Sequence, residues 1–136
     1  MVKKLLVAAL LVVAGYGVGR ASQAAPAHVY EMRTYTAADG KFEAVNARFR
    51  DHTRRIFERH NMKSVAYWTP LEGPTAGTTV IYILEHPSRE EARKNWAAFS
   101  ADPEWQKVKA ESEKDGRIVT KAESVFLTPT DYSAIK

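Results

Sequence analysis

The sequence contains no cysteine, and this absence removes several kinds of chemistry at once. Without thiols the protein has no disulfide, no thiol nucleophile and no lipoprotein-type anchor. A folded domain must therefore depend on its hydrophobic core or on oligomerisation. The chain also lacks a His-Glu-x-x-His motif, an acidic loop with calcium-ligand spacing and a phosphate-binding loop. Its motifs thus predict no metal site and no cofactor.

Long hydrophobic runs are also scarce. The strongest covers nine residues, 5–13, against about 20 for a spanning helix. It follows Lys3 and Lys4 and precedes a small-residue stretch that ends at Ala27. This order is typical of a secretory signal peptide, with cleavage expected near Ser22-Gln23-Ala24 or Ala25-Pro26-Ala27. We expect an exported protein, periplasmic or secreted, without a stable membrane span after cleavage.

Charge of one sign is not in large excess once this leader is removed. The whole chain has 20 basic and 16 acidic residues, and the leader holds three of the basic ones and none of the acidic ones. The mature domain is therefore nearly neutral. Nucleic-acid binding needs a concentrated positive face, so no nucleic-acid partner is predicted.

The rest of the 136-residue chain predicts a single domain at residues 28–128, after a leader and short linker at 1–27 and before a tail at 129–136. Hydrophobic alternation predicts strands at 28–36, 63–69, 78–86 and 119–128. Helical periodicity predicts a helix at 41–60, a second from 88 to 99, and a shorter one after Asp102-Pro103. Asp102 before proline is expected to leave the helical region and to cap the next helix.

This order of elements, βαββαβ, predicts a ferredoxin-like α+β fold. Its four-stranded antiparallel sheet would carry helices on one face only. Residues 80–84 are apolar on both faces of their strand, so the second face of the sheet also needs a cover.

Three segments resemble the NIPSNAP family: the Trp96–Trp105 block, Tyr30–Tyr35, and the helical stretch from Phe49 to Met62. The resemblance covers the chain from about Tyr30 to Leu127 and implies a dimeric α+β barrel. In such a homodimer a second copy of the chain would cover the second face of the sheet. It departs at Asn61, where the family more often has a glycine. For exported bacterial members the resemblance implies no settled reaction.

Glu31, Arg33 and Tyr35 alternate on the first strand and are candidate ligand-binding residues. If Tyr30 and Met32 meet the helices, these three side chains point into the barrel. An arginine in a semi-enclosed cavity suits a carboxylate or another oxyanion. The favoured alternative is structural, with Glu31 and Arg33 pairing with each other or across the dimer.

Other candidates lie on the next two strands and on the first helix. Tyr67, Trp68 and Tyr82 are candidate ligand-binding residues, because one alternate set of them must line the second face of the sheet. There the rings would form an apolar ligand pocket or, as the favoured alternative, the dimer core. His52 falls on the apolar ridge of the helix between Phe49 and Ile56. A packed, hydrogen-bonded structural histidine is favoured there over a general base.

No residue is assigned a catalytic role from the sequence. The first hypothesis is an exported homodimer that binds a small organic ligand or a protein partner through its barrel or rim. The alternative is a cofactor-independent monooxygenase or isomerase of the dimeric α+β barrel type, supported by fold analogy alone. Haem binding, known in related barrels, is a weaker third hypothesis, because no histidine is clearly placed in the cavity.

Overall fold

The computed structural model describes residues 28–136. The predicted leader at 1–27 lies outside the described residues. The strands are β1 (Val29–Ala37), β2 (Lys63–Trp68), β3 (Thr79–His86) and β4 (Val119–Leu127). The helices are α1 (Phe42–Arg48), α2 (Arg54–Arg59), α3 (Arg89–Ala101) and α4 (Pro103–Ser112), and a π-helical turn (Phe49–Thr53) joins α1 to α2.

The four strands form one antiparallel sheet in the order β2-β3-β1-β4. The predicted ferredoxin-like α+β fold is thereby confirmed. β1 and β3 occupy the centre, where both edges of each strand are hydrogen-bonded. The central position of β3 explains why Val80, Tyr82 and Leu84 are almost fully buried. These side chains lie under the helices, which cover one face of the sheet.

The break between α3 and α4 occurs at Asp102, as predicted. Asp102 is extended (φ −64°, ψ 122°), and Pro103 begins α4. The Asp102 carboxylate accepts hydrogen bonds from the backbone N–H of Glu104 at 2.8 Å and of Trp105 at 3.3 Å. It therefore caps the helix that the proline starts. Asn61 ends α2 in the left-handed region (φ 56°), also as expected.

The predicted continuous helix at 41–60 is interrupted by the π turn. A π-helical turn holds more residues than an α-helical one, so it changes which side chains face inward. Phe49 and Thr53 are both buried, while Asp51 and His52 are exposed. The Thr53 hydroxyl donates to the Arg48 carbonyl oxygen at 3.1 Å inside this turn.

Candidate functional site

The side chains of Glu31, Arg33 and Tyr35 lie on the helix side of the sheet. The opposite orientation, expected if Tyr30 and Met32 met the helices, is wrong. Glu31 contacts Trp96 on α3, and Tyr35 packs against Phe49 with ring centroids 5.7 Å apart. Strand alternation separates the two sets of residues but does not say which set the helices cover. Here the charged set goes under the helices because its charges find partners there.

Glu31 is the centre of a buried polar cluster. Its carboxylate accepts hydrogen bonds from Arg33 Nη1 at 2.7 Å, Ser124 Oγ at 2.7 Å and Trp96 Nε1 at 2.6 Å. His86 Nε2 lies 3.1 Å from the same carboxylate. Burial opposes ionisation of Glu31, but these hydrogen bonds outweigh it and lower its pKa to about 2. Because its oxygens already accept these hydrogen bonds, the Glu31 carboxylate stabilises the fold and is not suited to act as a general base near neutral pH.

Arg33 links this cluster to the aromatic side chains around it. Its guanidinium carbon lies 4.2 Å from the centroid of the Trp96 ring and 5.6 Å from that of Tyr35. Only the Nη1 side of the guanidinium pairs with Glu31, and Nε is buried without a hydrogen-bond partner. The structure therefore contains the expected Glu31–Arg33 pair.

Tyr35 also lines a hollow of about 190 Å³ between the sheet and the helices. β1 contributes Tyr35 to this hollow, and the start of β4 contributes Val119 to Ala122. The helices contribute Arg48 from α1, together with Trp105 and Lys109 from α4. Two aromatic side chains and several cationic ones thus border one small space that opens to solvent. We call this space the sheet–helix hollow.

The sheet–helix hollow is bordered by four cationic side chains and one carboxylate. Arg48 pairs with the carboxylate, Glu113, at 3.1 Å, and Lys121 pairs with Glu123 outside the hollow at 2.8 Å. Lys109 and Arg117 form no ion pair with any side chain of residues 28–136. The hollow therefore has a net positive border.

Tyr67 and Tyr82 do not line a pocket on the second face. They stack on each other on the helix side, with centroids 5.5 Å apart and an interplanar angle of 21°. Tyr82 is completely buried, and burial raises its pKa well above the ordinary value. Trp68 alone of the three points to the opposite face, where half of it is exposed.

His52 is not packed on the sheet. It is exposed and borders an open groove of about 510 Å³ between the first helical segment and α4. The prediction of a buried structural histidine is wrong because the π turn gives the inward position to Thr53 instead. Asp51 borders the same groove, beside a floor that includes Ala44, Ala47 and Val108.

Sequence reasoning missed two sets of residues around the site. The partners of Glu31 come from β3, α3 and β4, and no spacing in the sequence signals that His86, Trp96 and Ser124 converge. The cations of the sheet–helix hollow come from α1, α4 and the segment around β4. In the sequence each of them looks like an ordinary exposed basic residue. Their proximity is apparent only in the folded structure.

No helix in residues 28–136 combines the length and apolarity needed to cross a membrane. Within the same range, no three histidine or carboxylate side chains are grouped as ligands for a metal ion.

The described residues form an α+β fold of the ferredoxin-like class. The NIPSNAP family profile matches residues 30–134, and the chain belongs to this family. No curated protein matches the sequence.

Solved structures of the same family share this fold. One is a NIPSNAP family protein of unknown function from Agrobacterium tumefaciens, with a TM-score of 0.70 and 23% identity over 82% of this chain and 96% of the other. A NIPSNAP-like domain protein from Burkholderia xenovorans has a TM-score of 0.69 and 18% identity over 79% and 90% of the two chains. A monooxygenase from the gene ActVA-Orf6 of Streptomyces coelicolor, in complex with the ligand Nanaomycin D, is more distant. Its TM-score is 0.51, with 14% identity over 79% of this chain and 92% of that chain.

Proposed function

We propose that the protein is an exported homodimer that binds a small organic ligand in the sheet–helix hollow. The observation that carries this proposal is the combination of Tyr35 and Trp105 with unpaired cations around one open space. Ligand sites typically combine an apolar wall with a few polar groups that fix orientation. The Glu31 cluster adjoins the hollow and stabilises it. Glu31 accepts a hydrogen bond from Arg33, and the Arg33 guanidinium packs against the ring of Tyr35.

The second face of the sheet supports the homodimer. Strand pairing places Met32, Ile83 and Val125 on that face, away from the helices. Val125 is 50% exposed and Leu127, from the same strand, is 37% exposed. Such exposed apolar side chains on one sheet are typical of a protein interface. A second sheet packed on this one would cover them and form the α+β barrel.

The C-terminal tail covers one corner of this face. The hydroxyl of Tyr30 donates to the Lys136 carbonyl oxygen at 2.7 Å. The tail and the sheet enclose a largely apolar hollow of about 320 Å³ between them, bordered by Ile83 and Ile135. In the proposed dimer the partner sheet would pack beside the tail.

Export rests on the leader. Residues 1–27 combine a basic start, a short apolar run and small residues near the expected cleavage site. The absence of cysteine gives the mature domain no disulfide to form after export, so the core and the dimer would supply its stability.

Native mass spectrometry of the mature protein purified from its own host tests the ligand. We expect a dimer with a reproducible added mass that is lost under denaturing conditions. Lys109→Glu should remove the added mass, because the substitution places a carboxylate at the border of the hollow. Lys107→Glu is the matched control: it changes the same residue type on the same helix, but Lys107 borders the groove beside His52 instead.

A clean dimer without added mass would contradict the ligand and favour a role in binding a protein partner. An added mass retained equally by both variants would place the ligand elsewhere. A monomer would contradict the barrel.

A cofactor-independent monooxygenase or isomerase is the second candidate. The aromatic border of the hollow favours it, because Tyr35 and Trp105 suit an aromatic substrate. The likeness to the Streptomyces monooxygenase supports the architecture and gives no residue a role. Incubating the purified dimer with the molecule released in the first experiment distinguishes the two. A new product or oxygen consumption indicates an enzyme, and unchanged ligand indicates a binding protein.

A further inference from the structure

We infer that the sheet–helix hollow takes a single-ring aromatic carboxylate or a planar carboxylate of similar size. This inference rests on the proposed function and names the chemical class of the ligand. Three independent features of the hollow carry it: its charge, the unused edge of a buried arginine, and its aromatic border.

The charge of the border selects an anion. Lys109 and Arg117 are exposed, and neither pairs with a carboxylate in residues 28–136. The carboxylate that borders the hollow, Glu113, is already bound by Arg48. A concave site with a net positive border focuses its field on the space inside, so an anion is attracted and a cation is repelled.

Arg48 supplies a directional donor for that anion. Its side chain is only 5% exposed, and its Nη1 donates to Glu113 at 3.1 Å and to Ser112 Oγ at 3.2 Å. Its Nε is buried without a hydrogen-bond partner. A buried N–H without an acceptor is costly, and the Nε edge of a guanidinium matches the two oxygens of a carboxylate. Nε is closed to solvent, so a bound carboxylate would reach it only after a small movement of the Arg48 side chain and would then supply the acceptor that Nε lacks.

The aromatic border selects a flat organic body over an inorganic ion. The guanidinium carbon of Arg48 lies 5.2 Å from the centroid of the Trp105 ring. Tyr35 borders the same space, together with the aliphatic side chains of Val119 and Ala122. Aromatic rings pack edge to face or offset on such surfaces.

The volume of the hollow limits the size of the ligand. At about 190 Å³ it is smaller than the common range for drug-sized ligands, which starts at about 300 Å³. One ring with one carboxylate is therefore the expected scale.

The test is a titration of the mature recombinant protein, labelled with ¹⁵N, with three probes: benzoate, benzamide and inorganic phosphate. Benzamide has the shape of benzoate without its charge, and phosphate has charge without a ring. We expect benzoate to bind in the millimolar range, as suits so small a ligand. Its amide shifts should centre on Tyr35, Trp105 and residues 119–122. Added salt should weaken binding, because exposed charges contribute to it.

Two variants locate the charge contribution. Arg117→Gln should weaken benzoate binding at least about threefold, since it removes one unpaired cation from the border. Arg93→Gln, an exposed arginine on α3 away from the hollow, should leave the affinity unchanged. Both positions are exposed, so neither variant is expected to unfold the protein.

Each other outcome overturns the inference in an identifiable way. Equal binding of benzamide and benzoate would show that the hollow selects shape without charge. Equal binding of phosphate would show a general anion site. No shift at the hollow with any probe would overturn the inference, while the host-derived added mass would still decide the proposed function separately.

Discussion

The substitution Glu31→Gln tests the buried polar cluster, because it removes the charge of the carboxylate while keeping its size. In the native protein the pKa of Glu31 falls from its ordinary value of 4.5 to about 2. The difference corresponds to about 3 kcal/mol of stability at neutral pH. In the variant, an amide NH₂ would also face groups that donate hydrogen bonds, among them Trp96 Nε1 and Ser124 Oγ. We therefore expect Glu31→Gln to lower the free energy of unfolding at pH 7 by about 3 kcal/mol.

The stability that Glu31 contributes depends on pH, and it decreases as the pH falls. A carboxyl whose folded pKa is lowered contributes stability that is fully present above its unfolded pKa. That stability is lost as the pH falls through the folded pKa. The contribution of Glu31 should thus begin to fall near pH 4.5 and continue to fall towards about pH 2. Between pH 7 and pH 3 the wild-type protein should lose about 2 kcal/mol that the variant does not lose.

Urea unfolding followed by tryptophan fluorescence at pH 7, 5 and 3 measures both quantities. The protein concentration must be held constant, because the proposed dimerisation would add to the apparent stability. Glu111→Gln is the matched control, since Glu111 is exposed and its one ion pair within residues 28–136 is with Lys114, just after the end of α4. A Glu31→Gln difference that stays constant from pH 7 to pH 3, or that is no larger than the control, would refute the account of the cluster.

The remaining predictions concern the dimer, a helix cap and the core. Val125→Asp should convert the dimer to a monomer in analytical ultracentrifugation, whereas Leu71→Asp, at a 98% exposed loop position, should not; a dimeric Val125→Asp protein would contradict packing through this face. Ser88→Ala should cost about 1 kcal/mol in urea unfolding, because Ser88 Oγ accepts a hydrogen bond from the N–H of Glu91 at 3.1 Å. An unchanged midpoint would argue against that cap. Phe57→Ala should lower the free energy of unfolding by about 3 to 5 kcal/mol. Phe57 is 1% exposed, and its ring centroid lies 4.9 Å from that of Phe99. A loss below about 1 kcal/mol would show a core able to collapse around the gap.

Local signals in the sequence were sufficient for the order of strands and helices, for the break between α3 and α4 and for the end of α2, but not for the interruption of the first helix. Asp102 before Pro103 specifies both the end of α3 and the cap of α4, because the proline restricts one residue and the carboxylate satisfies the next N–H groups. Asn61 ends α2 for a similarly local reason. Such features depend on residues that are adjacent in the sequence, so they can be predicted without knowing the fold.

The orientation of β1 could not be read in the same way. Both of its faces mix polar and apolar residues, and the buried position of Glu31 depends on donors supplied by β3, α3 and β4. The pairing of Glu31 with Arg33 could be predicted as an alternative, because the two residues are separated by one position on the same strand and so share a face. The other partners are 55 to 93 residues away in the chain.

The position of His52 was predicted wrongly because the helix contains a π turn. Regular α-helical spacing from Phe49 to Ile56 places His52 on the buried ridge. The structure buries Thr53 instead, so His52 lies at the groove beside α4. The sequence carries no clear signal for this turn.

We propose above all that a small organic ligand occupies the sheet–helix hollow of a homodimer. The most direct measurement is a crystal structure of the mature protein purified from its own host without added ligands. We predict two sheets packed face to face and electron density for a flat molecule between Tyr35 and Trp105, with a carboxylate at Arg48. An unpaired, solvent-exposed sheet, or a hollow filled by side chains of the protein itself, would contradict the account.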